Sequence, residues 1–208
     1  MFNPRYSRYL VAYSVLPALF FFVATLEAAE CFSPVPGLQQ GERYVHQPIV
    51  ATRLSNAENN ILSKLLGSLD GNWQGEAEET LCLGDIDTAR KRIKSYAMQA
   101  EVDMNSSGGL QIRANLESIE NRTSREESYR LFLGDDRLSA SGSGSKGDVE
   151  LIELYPDSVS FVQSHILRGN IPQEVLTKIT YSGQEFRIVR YFYNHGHLSS
   201  ISRWILSN

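Results

Sequence analysis

The sequence predicts an all-β fold: an antiparallel up-and-down β-barrel of about 8 to 10 strands with a short N-terminal helix. Three observations predict it. From Asn72 to the end of the chain, apolar and polar residues alternate with a period of two, as half-buried strands require. The alternating runs are separated by turn sequences such as "PDS", "RGNIP", "SGQ" and "NHGH". No gap exceeds the seven residues from Asp85 to Lys91, so successive strands pair antiparallel. A meander of this length leaves two exposed edges unless it closes on itself. A two-sheet sandwich is the competing architecture, but a Greek key usually needs a longer crossing connection.

In chain order, residues 1–29 read as a signal peptide. Arg5 and Arg8 precede sixteen apolar residues, Val11 to Leu26, and small residues follow at Ala28 and Ala29. The chain is therefore expected to be exported, periplasmic or secreted. An uncleaved N-terminal membrane anchor is the alternative, although sixteen residues is short for a span. Cleavage removes Arg5, Arg8 and Glu27 and takes the formal net charge from -4 to -5. Cys31 invites a lipid-modified cysteine, but Glu30 before it fits a lipobox poorly. With only one other cysteine in an exported chain, a Cys31–Cys82 disulfide is the better use.

Residues 30–52 contain Pro34, Pro36 and Pro48 without a sustained period and read as an extended arm. The barrel domain is placed at 53–208. It opens with a helix at about 55–69, capped by Ser55 or Asn56, carrying Ile61, Leu62, Leu65, Leu66 and Leu69 at helical spacing and stopped near Gly71. Strands follow: one at Trp73, then 94–104 with Tyr96, Met98, Ala100, Val102 and Met104 on one face, and 110–117 with Leu110, Ile112, Ala114 and Leu116. Further strands are expected at 125–133, 136–141, 148–155, 158–167, 174–182, 185–194 and 197–206.

A Gly-x-Trp on the first strand (Gly71, Asn72, Trp73), behind a short helix and answered by Arg203 on the last strand, resembles the lipocalin and fatty-acid-binding-protein (calycin) superfamily. The absence of a helix after the last strand and of a helical lid between the first two strands is more like its bacterial lipocalin-like or nitrobindin-like members. The resemblance implies that Trp73 plugs the closed end of the barrel with Arg203 packed on its ring, a cation–π contact. It also implies a small lipophilic ligand inside.

Little else in the chain points to chemistry. There is no nucleophile elbow, phosphate-binding loop, Cys-x-x-Cys or His-Glu-x-x-His, so no catalytic residue, metal or cofactor is assigned. The scattered lysines and arginines of a mildly acidic chain argue against nucleic acid. Stable membrane insertion is not expected once the signal is cleaved. Arg190 shares a face with Phe186, Ile188 and Phe192; it anchors a ligand carboxylate if that face is inward, and otherwise lies outside or pairs structurally with a glutamate such as Glu153. His165, Phe161, Tyr96 and Met98 are the other candidate cavity residues. His195 and His197 read as turn residues rather than metal ligands, and Glu76, Glu78 and Glu79 as a solvated face. Asn105 and Asn121 begin Asn-x-Ser/Thr tripeptides that matter only in a glycosylating host. Two main readings compete: an exported barrel that binds a small apolar or amphipathic ligand, and a filled barrel acting as a non-catalytic accessory or interaction module. A cavity-using isomerase comes third.

Overall fold

The computed structural model describes residues 31–39, 41–104, 109–134, 137–142 and 145–208; the signal peptide expected at 1–29 lies outside them. One helix, α1 (Asn56–Gly67), precedes eleven strands: β1 (Gly71–Leu83), β2 (Arg90–Met104), β3 (Leu110–Ser118), β4 (Ser124–Gly134), β5 (Arg137–Gly142), β6 (Ser145–Asp148), β7 (Glu150–Tyr155), β8 (Ser158–Leu167), β9 (Ile171–Tyr181), β10 (Glu185–Asn194) and β11 (His197–Ser207). All pairings are antiparallel between chain neighbours, and β1 also pairs with β11. The expected up-and-down barrel is therefore present.

The strand count and the closure have one cause. In the single sheet, the two edge strands are β6 and β7, which are consecutive in the chain. The segment from Ser145 to Tyr155 pairs through its first part with β5 and through its second with β8, changing partner at the fully buried Val149. The strand expected at 148–155 is β7; β6 forms in "SGSGSKGD", which reads as a turn in the sequence, and the change of partner between them nearly closes the barrel. Side-chain and backbone bonds stitch the seam. Val149 N–H donates to the Leu138 carbonyl at 3.1 Å, and the Gln163 amide to the Ala140 carbonyl at 2.9 Å.

The arm crosses the outside of β11, β9 and β8 and reaches this seam at Thr52. Near its start, Phe32 and Val35 N–H groups bond the Leu198 and Gly196 carbonyls, and the Cys31–Cys82 disulfide holds it there with a Cα–Cα distance of 5.4 Å. The Tyr44 hydroxyl then reaches Glu174 at 2.6 Å, and Ser164 Oγ meets His46 Nδ1 at 3.1 Å. Thr52 bonds Val149 and Leu151, and Arg53 bridges to Arg137 before the chain enters α1 at the other end. Two glycines mark tight contacts. Gly196, at φ 76°, carries Tyr44 and Leu38 of the arm where a side chain would stand, and a Cβ at Gly75 would lie 2.1 Å from the Ile205 carbonyl oxygen of the neighbouring strand.

Helix α1 caps one end of the barrel. Ser55 is its N-cap in a capping box with Glu58, satisfying backbone donors that the first turn otherwise leaves open. Leu62, Leu65, Leu66 and Leu69 are buried on Trp73, whose indole N–H donates to the Leu69 carbonyl at 2.8 Å. Trp73 thus plugs the helix end, edge-on to Phe186 (4.7 Å between ring centres) and Tyr181 (6.4 Å). Arg203 does not join it. It lies on the opposite face of β11 from Trp204 and pairs with Glu78 at 2.9 Å, because the register sets Glu78 opposite Arg203 and leaves Trp73 several residues nearer the helix end.

Candidate functional site

From Trp73 upward the interior is packed. Met98, Ile112, Leu116, Leu131, Leu138, Phe161, Ile179, Phe186, Ile188 and Trp204 form one continuous buried cluster with the helix leucines. Phe161 and Met98, expected to line a cavity, are part of this filling and are essentially inaccessible.

Polarity begins at one level. Strand register sets Glu79 opposite Ser202, Ser202 opposite Arg190, Arg190 opposite Thr177 and Thr177 opposite Phe161, so a polar row crosses β1, β11, β10 and β9 and ends on an aromatic of β8. Arg190 points inward with Phe186 and Ile188 and is 3% exposed. Its guanidinium lies 4.7 Å over the Trp204 ring, donates to Ser202 Oγ at 3.1 Å and pairs with Glu127 at 3.4 Å. The acidic partner is thus Glu127 of β4 rather than Glu153. Burial pulls the Arg190 guanidinium below its ordinary value, a shift that Glu127 opposes.

Glu127 also pairs with Arg125 at 2.8 Å, and Arg125 pairs with Glu79 and lies 4.6 Å over the Tyr96 ring. The Tyr96 hydroxyl donates to Glu79 at 3.2 Å. Two carboxylates and two guanidiniums therefore balance. Tyr129 lies beneath, 5.7 Å from Arg190, with its hydroxyl raised above the usual phenol range chiefly by burial and partly lowered by Arg190. Neither Tyr129 nor the facing Thr177 hydroxyl makes a hydrogen bond of normal geometry among the described residues.

Above this cluster is a recess of about 230 Å³, lined by Glu79, Leu81, Glu127, Arg190, Phe192, Ser200, Ile201 and Ser202. A wider groove of about 850 Å³ runs over the outer face of β1 to β4. It is lined largely by exposed Asn, Gln, Glu and Ser side chains, including Gln74, Gln99 and Asn115, and it reaches Glu127, the partner of Arg190, from the other side. We place the candidate site at the smaller, inner recess, where a buried charge meets an opening.

His165 stands apart, near the end of β8. Both ring nitrogens are buried without a hydrogen bond of normal geometry among the described residues, although Gln173 is close enough to favour the charged ring slightly. Burial holds its imidazole below the ordinary value. His195 and His197 occupy and follow the β10–β11 turn, and the described residues contain no cluster of three metal-ligating side chains. Sequence reasoning missed Glu79, Arg125, Glu127, Thr177 and Ser202. The signal was available for Glu79 and Glu127: each shares inward parity with aromatic or apolar neighbours, Glu79 with Trp73 and Ala77, Glu127 with Tyr129 and Leu131.

These features define a class: a small antiparallel β-barrel, plugged at one end by a helix and a tryptophan, packed through its middle and recessed at the other end. No family model and no curated protein matches the chain. Among solved structures it is similar to a protein of unknown function from the DUF3598 family of Nostoc punctiforme PCC 73102, at 12% identity over 69% of this chain, with a TM-score of 0.43. The chain spans about half, 48%, of that protein's length. It is also similar to EF1p2_mFAP2b bound to DFHBI, at 14% identity over 71% of this chain and 98% of that one, with a TM-score of 0.35.

Proposed function

We propose that the protein is an exported, lipocalin-like barrel that binds a small amphipathic ligand in the recess above Arg190. The observation that carries the reading is the meeting of a nearly inaccessible guanidinium with an open pocket of about 230 Å³ walled partly by Leu81 and Phe192. A ligand chain would rest on those two side chains, and its polar head would meet Ser202.

The head group is neutral. Arg190 already shares Glu127, and Arg125 neutralises Glu79, so a further full negative charge would lie beside two carboxylates. Ser202 accepts from Arg190, and a hydroxyl has one hydrogen to offer as well, which suits a ligand hydroxyl or carbonyl oxygen. The disulfide supports export, since such bonds persist in oxidising compartments.

Calorimetric titration with octan-1-ol and octanoate tests the reading. Saturable binding of the alcohol, weaker for the carboxylate and weakened by Ser202→Ala, is expected. If neither compound nor shorter alcohols bind, the filled interior favours the second reading, an accessory barrel without a ligand.

A further inference from the structure

Strands β1 and β2 outrun their neighbours. Pairing of β2 with β3 stops at Tyr96–Ser118 and that of β1 with β11 at Leu81–Ser200, yet β1 and β2 stay paired as far as Leu83–Arg90. The hairpin from Cys82 to Lys94 therefore projects as a finger beside the recess. Its side chains are unusual for an exposed element. Leu83, Ile86 and Ile93 are 46%, 58% and 52% exposed, and Ile119, whose N–H bonds the Ser95 carbonyl at the finger's base, is 62% exposed. Three exposed aliphatics on one hairpin, with a fourth at its base, suit a contact surface.

Four cations share the finger: Arg90, Lys91, Arg92 and Lys94. Its two acids, Asp85 and Asp87, lie in the loop, where Asp85 is engaged by Thr88 and by the Asp87 N–H. The finger is thus cationic on a chain of net charge -4. Aliphatic side chains among cations suit an anionic lipid surface, where the apolar groups enter the headgroup region and the charges meet lipid phosphates.

A second, independent observation points the same way. The chain that precedes the described residues carries the apolar run Val11 to Leu26, and it joins the barrel at Cys31. The disulfide fixes Cys31 to Cys82, on the finger itself, opposite Lys91. Where the apolar segment is retained as an N-terminal anchor, its attachment point at Cys31 lies beside the aliphatic, cationic finger, at the end of the barrel away from α1.

We propose that this end of the barrel faces an anionic membrane surface, with the finger carrying Leu83, Ile86 and Ile93 seated in the headgroup layer. The contact does not depend on what the recess binds, and it would bring the recess to within reach of the lipid surface.

Full-length protein, reconstituted in phosphatidylcholine vesicles containing phosphatidylglycerol with brominated acyl chains, tests the contact. Trp73 and Trp204 are buried, so lipid quenching reports mainly on an added surface indole. Ile86→Trp should lose most of its added emission, whereas Ile205→Trp, on the outer face near the other end, should keep it. Neutralising the four cations in the Ile86→Trp chain (Arg90→Gln, Lys91→Gln, Arg92→Gln, Lys94→Gln), or omitting phosphatidylglycerol, should reduce that quenching. Equal quenching at the two positions, or none at Ile86→Trp in protein that retains its disulfide, overturns the proposal and assigns the finger to a protein partner. Quenching insensitive to both charge changes overturns the role given to the cations.

Discussion

Two arginines illustrate how register decides what a residue does. Arg203 and Arg190 lie on adjacent strands, but Arg203 faces outward to Glu78 while Arg190 faces inward over Trp204. Trp73→Ala should cost roughly 3 to 5 kcal/mol, because it opens a cavity under α1 and removes the bond to Leu69. Arg203→Ala should cost about 0 to 1 kcal/mol, as a partly exposed ion pair does. Equilibrium unfolding of the single and double variants should give additive losses, and a coupling above about 0.5 kcal/mol would show contact between the two residues. His165 adds a pH dependence. Its folded value lies below the ordinary 6.5, so the unfolded chain takes up the proton first as pH falls. Stability is therefore complete above that range and declines below it, toward the folded value. Denaturation midpoints measured between neutral and mildly acid pH should show a slope that His165→Gln reduces; an unchanged slope would place the titration elsewhere.

At the scale of the elements, the helix and most strands were legible because their periods are clean. Leu110, Ile112, Ala114 and Leu116 alternate with polar residues and are all buried. In β10 both faces read as apolar, and the structure gives the reason. Phe186 and Ile188 enter the core, while Val189, Tyr191 and Tyr193 on the outer side form a second cluster with Leu198, Ile201 and Val35 of the arm. A covered outer face has no polar side to betray it. The switch of the 145–155 segment between β5 and β8 was not legible either, since period-two alternation is silent about partners. Gly75 is a local requirement of the β1–β11 pairing. Gly75→Ala would force a Cβ against the Ile205 carbonyl and should cost about 3 kcal/mol or more, the upper part of the range for overpacking; a thermal shift close to zero would mean that the two strands separate there at little cost.

For the molecule as a whole, the disulfide and the arm act together. The bond closes a sequence separation of 51 residues that includes the arm, α1 and most of β1. In the chain-entropy model it contributes about 4 kcal/mol by restricting the unfolded chain. Cys31→Ser should lower stability by up to that amount and, with the arm released, expose the outer cluster of Tyr193 and Leu198 to a hydrophobic dye. Loss of stability without dye binding would mean that hydrogen bonds to Gly196 and Leu198 alone hold the arm.

The candidate site was legible only in part, because its core is a relation between strands. That Arg190 shares a face with Phe186 and Ile188 was readable from "EFRIVRYFY", but not that this face is the inner one, and its partners Glu127, Ser202 and Trp204 come from β4 and β11 and meet it only through closure of the barrel. Trp204 offers the most direct test of the central claim, that the recess above Arg190 receives a ligand. Its ring lies beneath the guanidinium, so occupancy of the recess should alter its emission. In a Trp73→Phe background, Trp204 is the sole tryptophan of the barrel. Titration with octan-1-ol should then produce a saturable change in emission that Ser200→Phe, which fills the recess, abolishes. A change that does not saturate, or one that survives Ser200→Phe, would contradict binding at this site.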